Sequence, residues 1–429
     1  MQIHIVASGD TITSIAQLYG ATSAAIIEAN ELSTPNELVI GQALVIPIIG
    51  QFYFVQPGDS LYDIAQRFGT TYQALAEINQ ISATATLPVG LRLYIPPRPK
   101  REIISIAYVE PMGDTVSTPL IHAVENHAEK LTYLALFSYR VQRDGSLVAP
   151  PIDNLATIAG NHQTALMLVV TNLEEGAFSS ELGHIILTVQ YVQNTLLDNL
   201  VNTATSGGFH DVHFDFEFLL PEDREAYNDF LRKAKTRFAQ AGLTISTALA
   251  PKTSSTQTGI VYEAHDYAAH GEIADFVILM TYEWGYSAGP PMAVSPINEV
   301  RKVVDYALTQ MPADKIILGQ NLYGYDWTLP FVAGGPYARA VSPQQAIQLA
   351  RENNASISYD IVAQAPFFQY TAADGKTHEV WFEDARSIQA KFNLIEEKQL
   401  RGIAYWKLGL SFPQNWLLLT DQFTITKVI

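Results

Sequence analysis

Between Gly208 and Phe218, apolar and polar residues alternate with a period of two. Val212, Phe214, Phe216 and Phe218 fall on one face of a strand, and Asp211, His213, Asp215 and Glu217 on the other. Leu219-Leu220-Pro221-Glu222-Asp223 reads as a loop, 224–239 as a helix and 243–250 as a second strand. A strand, loop, helix and strand in that order imply a parallel pair covered by a helix. Parallel strands are ordinarily apolar on both faces, so three carboxylates and an imidazole on one face are costly unless that face lines a site. A solvated, purely structural strand is the rival reading.

Similar runs recur along the chain. Candidate strands at 103–109, 133–137 and 165–170 precede the alternating one, and those at 244–248, 276–280, 316–320 and 402–405 follow it, with helical segments between. Eight such units predict an α/β fold, a (β/α)8 TIM barrel. A hairpin pairing 366–370 with 379–382, turned at Asp374-Gly375, marks a small insertion over about 328–400 on the barrel's C-terminal face. Polar and aromatic residues cluster directly after the strands: Tyr108 and Glu110, Asn172, Lys252, the stretch from Met280 to Trp284, Tyr323, and Trp406. Strand ends are where barrels place their sites, although each aromatic taken singly reads first as packing.

The first 97 residues hold an internal repeat. Residues 3–16 line up with 52–65, and Asn30 falls on Asn79, Gly41 on Gly90 and Ile46-Pro47 on Ile95-Pro96 without a gap. Each copy reads as a strand, a Gly-Asp-Thr/Ser turn, a helix with apolar residues at Ile12, Ile15 and Ala16 (Leu61, Ile64 and Ala65), a second short helix and a closing strand. In the turn, glycine permits a positive φ and the side-chain oxygen that follows caps the helix. The predicted organisation is a module at 1–48, a second at 51–97, a stiff proline-rich basic linker at 98–102, and the barrel at 103–429.

The repeat resembles the LysM module, a βααβ unit that binds N-acetylglucosamine-containing polymers such as peptidoglycan and chitin. The resemblance places sugar-binding grooves between the Gly9-Asp10-Thr11 turn and the segment after Asn30, and likewise at Gly58-Asp59-Ser60 and Asn79. Spacers whose grooves have decayed are the alternative.

Asp215-Phe216-Glu217, closing a strand of alternating polar residues, resembles the signature of glycoside hydrolase family 18, the chitinase-like barrels. That family's motif reads Asp-Gly-x-Asp-x-Asp-x-Glu at the end of the fourth strand. Here His210 and Asp211 stand where Asp-Gly is usual, and His213 replaces the middle Asp. The family works by substrate assistance, in which the sugar's own acetamido oxygen attacks its anomeric carbon. The resemblance then implies that Glu217 is the general acid/base and that Asp215 orients the acetamido group. The Tyr282 hydroxyl would hold the acetamido oxygen, Trp406 would floor the cleaved sugar, and Tyr323 would stack on a ring. Trp284, Asn172, His213 and Asp211 complete the expected substrate-binding set. His213 should sit one layer beneath Asp215; it either donates to that carboxylate and keeps it ionised, or is a neutral histidine that fills space.

The order of modules and barrel, with Glu222-Asp223-Arg224-Glu225-Ala226-Tyr227-Asn228, Met280-Thr281-Tyr282-Glu283-Trp284-Gly285-Tyr286 and the run from Gly409 to Trp416, resembles the cortical-fragment-lytic spore germination hydrolases of the YaaH/SleL type in Bacillus and relatives. The implied activity is an N-acetylglucosaminidase acting on spore cortex peptidoglycan. The implied location is the outer layers of the spore, supplied by the mother cell without a signal peptide. A chitinase-like lectin or coat component, and an ordinary chitinase, are the rival classes. Glu217 argues against the lectin.

Composition narrows the field further. A formal charge of −17 disfavours nucleic acid and anionic membrane surfaces as partners. No run of 18 or so apolar residues reads as a membrane span. Without cysteine the chain has no disulfide or thiolate metal site, and residues two apart on one strand, as in His210, Asp211 and His213, seldom supply three convergent ligands. No metal or other cofactor is expected, and a monomer is the expected state.

Overall fold

The computed structural model describes residues 1–429. Eight parallel strands close a barrel: Arg101–Val109, Tyr133–Val141, Ala165–Thr171, Phe209–Asp215, Thr244–Leu249, Phe276–Leu279, Ile316–Asn321 and Gly402–Trp406, with the last pairing back onto the first. The alternation in the fourth strand has a direct cause. Val212, Phe214 and Phe216 point out into the layer between strands and helices, where Phe214 meets Phe230 of the helix Arg224–Gln240 with ring centroids 5.3 Å apart. Asp211, His213 and Asp215 point into the barrel, not into water. Their neighbours inside are Ile106, Tyr108, Met167, Val169, Phe276 and Ile278, so the polar face sits in a largely apolar interior.

The insertion is more than a hairpin. Five antiparallel strands run in the order Arg339–Val341, Gly324–Thr328, Thr377–Trp381, Ala365–Thr371 and Ser358–Asp360, backed by the helix Pro343–Glu352. Its central pairing needs Gly324, where a Cβ would lie 2.2 Å from the Trp381 carbonyl oxygen. Short strands separated by irregular loops carry too little alternation to be read singly, which is why only the long hairpin was legible.

Each N-terminal module is a βααβ unit with its own small core: Gln2–Ile5, Ile12–Tyr19, Ser23–Ala29 and Ala43–Ile46, then Gln51–Phe54, Leu61–Arg67, Tyr72–Ile78 and Arg92–Ile95. The first module is not a bead on a tether. Its Ala43 and Val45 belong to the same apolar cluster as the barrel's helices. The Ile357 amide donates to the Ile40 carbonyl at 2.8 Å, Arg386 to the Gly41 carbonyl at 3.1 Å, and Gln344 to the Asn30 carbonyl at 2.9 Å. The second module leans on the first, with the Phe52 amide donating to Gln2 Oε1 at 2.7 Å and Arg92 to the Leu18 carbonyl at 2.9 Å.

Candidate active site

At the C-terminal mouth of the barrel, Asp215, Glu217, Tyr282, Tyr323 and Trp406 line one cleft of about 550 Å³, a volume typical of small-ligand sites. Phe137, Phe178, Tyr262, Glu283, Tyr325, Lys407 and Leu410 are also part of its wall. The Trp406 indole is held edge-on by Phe137 at 4.8 Å and by Tyr108 at 5.5 Å, which leaves a fixed aromatic floor.

The peptide of Glu217 is clamped where the strand ends. Asn172 Nδ2 donates to the Glu217 carbonyl at 2.9 Å, and the Glu217 amide donates to Asn172 Oδ1 at 3.0 Å. One residue earlier, His265 Nε2 donates to the Phe216 carbonyl at 2.9 Å, while its Nδ1 accepts from the Ala250 amide at 2.9 Å. Burial holds His265 neutral, with its pKa pushed down to about 4. The carboxyl of Glu217 is thus carried by a backbone pinned from the end of the third strand, by Asn172, and from the loop that follows the fifth, by His265.

Both carboxyls favour the protonated form. Burial raises Asp215, whose Oδ1 has no hydrogen-bond donor, and burial together with the Asp215 charge raises Glu217 well above the usual carboxylate range. The pair titrates as a unit and retains a proton at pH values where an ordinary glutamate has lost it. Tyr282 stays a hydroxyl donor, because burial and the charges of Asp215, Glu217 and Glu283 all oppose its ionisation.

Several expected substrate contacts lie elsewhere. His213 does not touch Asp215: its Nε2 meets the Tyr108 hydroxyl at 2.9 Å and its Nδ1 meets Ser246 Oγ at 2.8 Å. Ser246 in turn donates to Asp211 Oδ2 at 2.5 Å, so its oxygen accepts the Nδ1 proton and Tyr108 donates to Nε2. Burial lowers His213 to about 3 and raises Asp211 to about 6. The two form a neutral-imidazole relay inside the barrel, below the cleft, because a strand's inward side chains stack one layer per two residues. Asn172 spends its side-chain amide on the Glu217 backbone. Trp284 packs at the edge of the main core, one residue after Glu283 with its left-handed φ of 65°.

The module residues are likewise committed to their own folds. Asp10 Oδ2 accepts from the Ala7 amide at 2.7 Å, and Thr11 caps the first helix by accepting from the Ser14 amide at 3.0 Å. Asp59 accepts from the Gln56 amide at 2.7 Å, and Ser60 from the Asp63 amide at 3.1 Å. Asn30 and Asn79 each donate to two carbonyls of their own module, those of Ile26 and Val45 and those of Leu75 and Tyr94. Gly9 and Gly58, at φ 90° and 88°, have open space beside them at the turns.

Glu283 was missed as a site residue. Its carboxylate receives the hydroxyl of Tyr323 and, at 3.0 Å, that of Tyr325, and it stands in the cleft with the catalytic candidates. Its signal was its place in the Met280–Trp284 stretch after the sixth strand. Tyr262, Tyr325 and Lys407 reach the cleft from loops and the insertion, where no periodicity marks them.

Comparison with known proteins agrees with this architecture. Residues 105–410 match the model of "Glycosyl hydrolases family 18", and residues 4–47 and 53–96 match the LysM domain. A "Cortical fragment-lytic enzyme" of Bacillus subtilis (strain 168) is 66% identical over 427 residues, covering 100% of this chain and 99% of that protein. The crystal structure of the Bacillus megaterium QM B1551 spore cortex-lytic enzyme SleL superposes with a TM-score of 0.91 at 54% identity, covering 100% of this chain and 99% of that one. A chitinase from Chromobacterium violaceum shares the fold alone, with a TM-score of 0.68 at 23% identity over 75% of this chain and 98% of that one. The chain therefore belongs to glycosyl hydrolase family 18 and is a glycosidase that carries two LysM domains ahead of its barrel.

Proposed function

We propose that the protein hydrolyses spore cortex peptidoglycan or its fragments, cutting after N-acetylglucosamine with retention of configuration. The observation that carries the reading is the raised, proton-holding Asp215/Glu217 pair beside Tyr282 and above Trp406 in one cleft. Glu217 protonates the departing glycosidic oxygen. The acetamido oxygen attacks the anomeric carbon and forms an oxazolinium. Asp215, the ionised member of the pair, accepts a hydrogen bond from the acetamido N–H and balances the positive charge; Tyr282 donates to the acetamido oxygen and so aims it. Water, deprotonated by Glu217, then opens the oxazolinium from the side the leaving group vacated, opposite the acetamido oxygen, which gives retention.

The name and near-complete coverage of the Bacillus subtilis relative support spore cortex as the substrate and the spore's outer layers as the location. The division of labour we propose is that the LysM modules hold the glycan and the barrel cuts it. Mass spectrometry of products from purified cortex fragments tests the substrate: N-acetylglucosamine at the new reducing ends is expected, and muramic acid there overturns the reading. Proton NMR should show the retained anomer first, and a thiazoline mimic should inhibit; an inverted first product excludes substrate assistance.

A further inference from the structure

A second hollow, of about 250 Å³, lies between residues 31–42 of the first module and the insertion helix Pro343–Glu352. We infer that it is an additional subsite for the glycan strand that the cleft cuts, an inference that rests on the proposed function.

Three observations carry it. The hollow and the catalytic cleft are lined by consecutive residues: Leu410 lines the cleft and Ser411 the hollow, with Cα atoms only about 3.8 Å apart. A strand leaving the cleft across Leu410 therefore meets the hollow next. The wall is fixed, because Ser411 Oγ donates to Glu31 of the module at 3.0 Å and the module itself is packed into the barrel's core.

The lining suits a neutral, polyhydroxylated chain. The amide side chains of Gln42 and Gln348 face it with the carboxylates of Glu31 and Glu37. The Thr34 hydroxyl, also on the wall, is buried without a hydrogen-bond partner and waits for one. The one guanidinium present, Arg351, lies 3.7 Å from Glu37, so its charge is already balanced and an anion gains little. Sugar hydroxyls and acetamido groups satisfy such a mixture of donors and acceptors.

The Gly9-Asp10-Thr11 turn takes no part in this wall. The subsite is therefore composite, made by the segment after Asn30 on one side and by the catalytic domain on the other. It exists only while module and barrel are docked.

Soluble peptidoglycan fragments of two to eight sugars, given to the full chain, test it. For the unaltered protein KM should fall as the fragment lengthens beyond the cleft. In Thr34→Val and Gln348→Ala, each removing one hydrogen bond, about two- to tenfold of that gain should disappear. Variants whose KM ratio of short to long fragments equals that of the unaltered protein overturn the subsite while leaving the hydrolase reading intact. If the unaltered protein cuts no fragment, the hydrolase reading falls. Calorimetric titration with the eight-sugar fragment then decides the subsite, and equal Kd values for all three proteins overturn it.

Discussion

Asn172 grips Glu217 by both of its backbone polar groups, accepting from the amide at 3.0 Å and donating to the carbonyl at 2.9 Å. The third barrel strand thereby sets where the acid of the fourth strand stands. Asn172→Asp keeps the acceptor but sets a second oxygen against the Glu217 carbonyl. Displacing a reacting group by about 1 Å costs on the order of a hundredfold in rate. The expected result is a kcat lowered by about ten- to a hundredfold with KM little changed. Equal kcat for both proteins on N-acetylglucosaminyl substrates refutes the positioning role.

Glu217→Gln removes the transferable proton without changing shape. Turnover should fall by at least about a hundredfold, the usual scale of general acid–base catalysis, while sugar affinity is retained. Near-normal turnover of this variant rules out Glu217 as the acid.

Asp215 and Glu217 should be coupled in the pH profile. The Asp215 charge helps to raise Glu217, so the acid stays loaded to higher pH. Asp215→Asn deletes that charge; Glu217 then loses its proton at lower pH, and the basic limb of kcat/KM shifts downward. A basic limb that stays in place or rises contradicts the coupling. The residual activity of this variant is measured against the same substrate across the pH range.

His213 should affect stability more than the acidic limb. Its folded pKa of about 3 lies below the ordinary histidine value of 6.5, because burial disfavours the charged ring. The unfolded chain therefore binds more protons between those values. The stability associated with this group is full above about pH 6.5 and is lost as pH falls toward 3. Replacing His213 with Asn should reduce the pH slope of unfolding free energy there by up to about 1.4 kcal/mol per pH unit. It should also cost about 1–3 kcal/mol at neutral pH by breaking the Tyr108–His213–Ser246 chain. Denaturant unfolding from pH 4 to 7 checks both, and an acidic limb of the rate profile that moves with this variant would restore the direct Asp215 contact.

Gly41 is the hinge pin of module docking. A Cβ there would lie 1.9 Å from the Ile357 carbonyl oxygen, and φ is 85°. Gly41→Ala should lower stability by more than about 2 kcal/mol and loosen the first module from the barrel. A barrel starting near Lys100 should melt below the full chain, because removing the module uncovers apolar surface beside Ala43 and Val45. A melting temperature equal to that of the full chain, for both proteins, means that the interface contributes nothing.

The sequence by itself determined the eight strands, the two repeats and the acidic pair. These are written in short-range periodicity, and a period of two or of 3.6 survives translation into structure whatever surrounds it. Asp215 and Glu217 were legible because a strand forces residues two apart onto one face. What those residues touch was decided only by tertiary structure. His213 binds Ser246, presented at its level by the neighbouring fifth strand, and Tyr108, which reaches it across the barrel interior from the first strand; these partners lie 33 and 105 residues away in sequence. That Asn172 bonds the Glu217 backbone, and that the Asp, Thr/Ser and Asn of each repeat bond their own module's backbone, was decided in the same way. A polar side chain goes to the nearest unsatisfied group, and one sequence does not say which group that is. The docking of the first module lay beyond reach too, since apolar residues such as Ala43 and Val45 look alike whether they serve their own small core or a neighbour's.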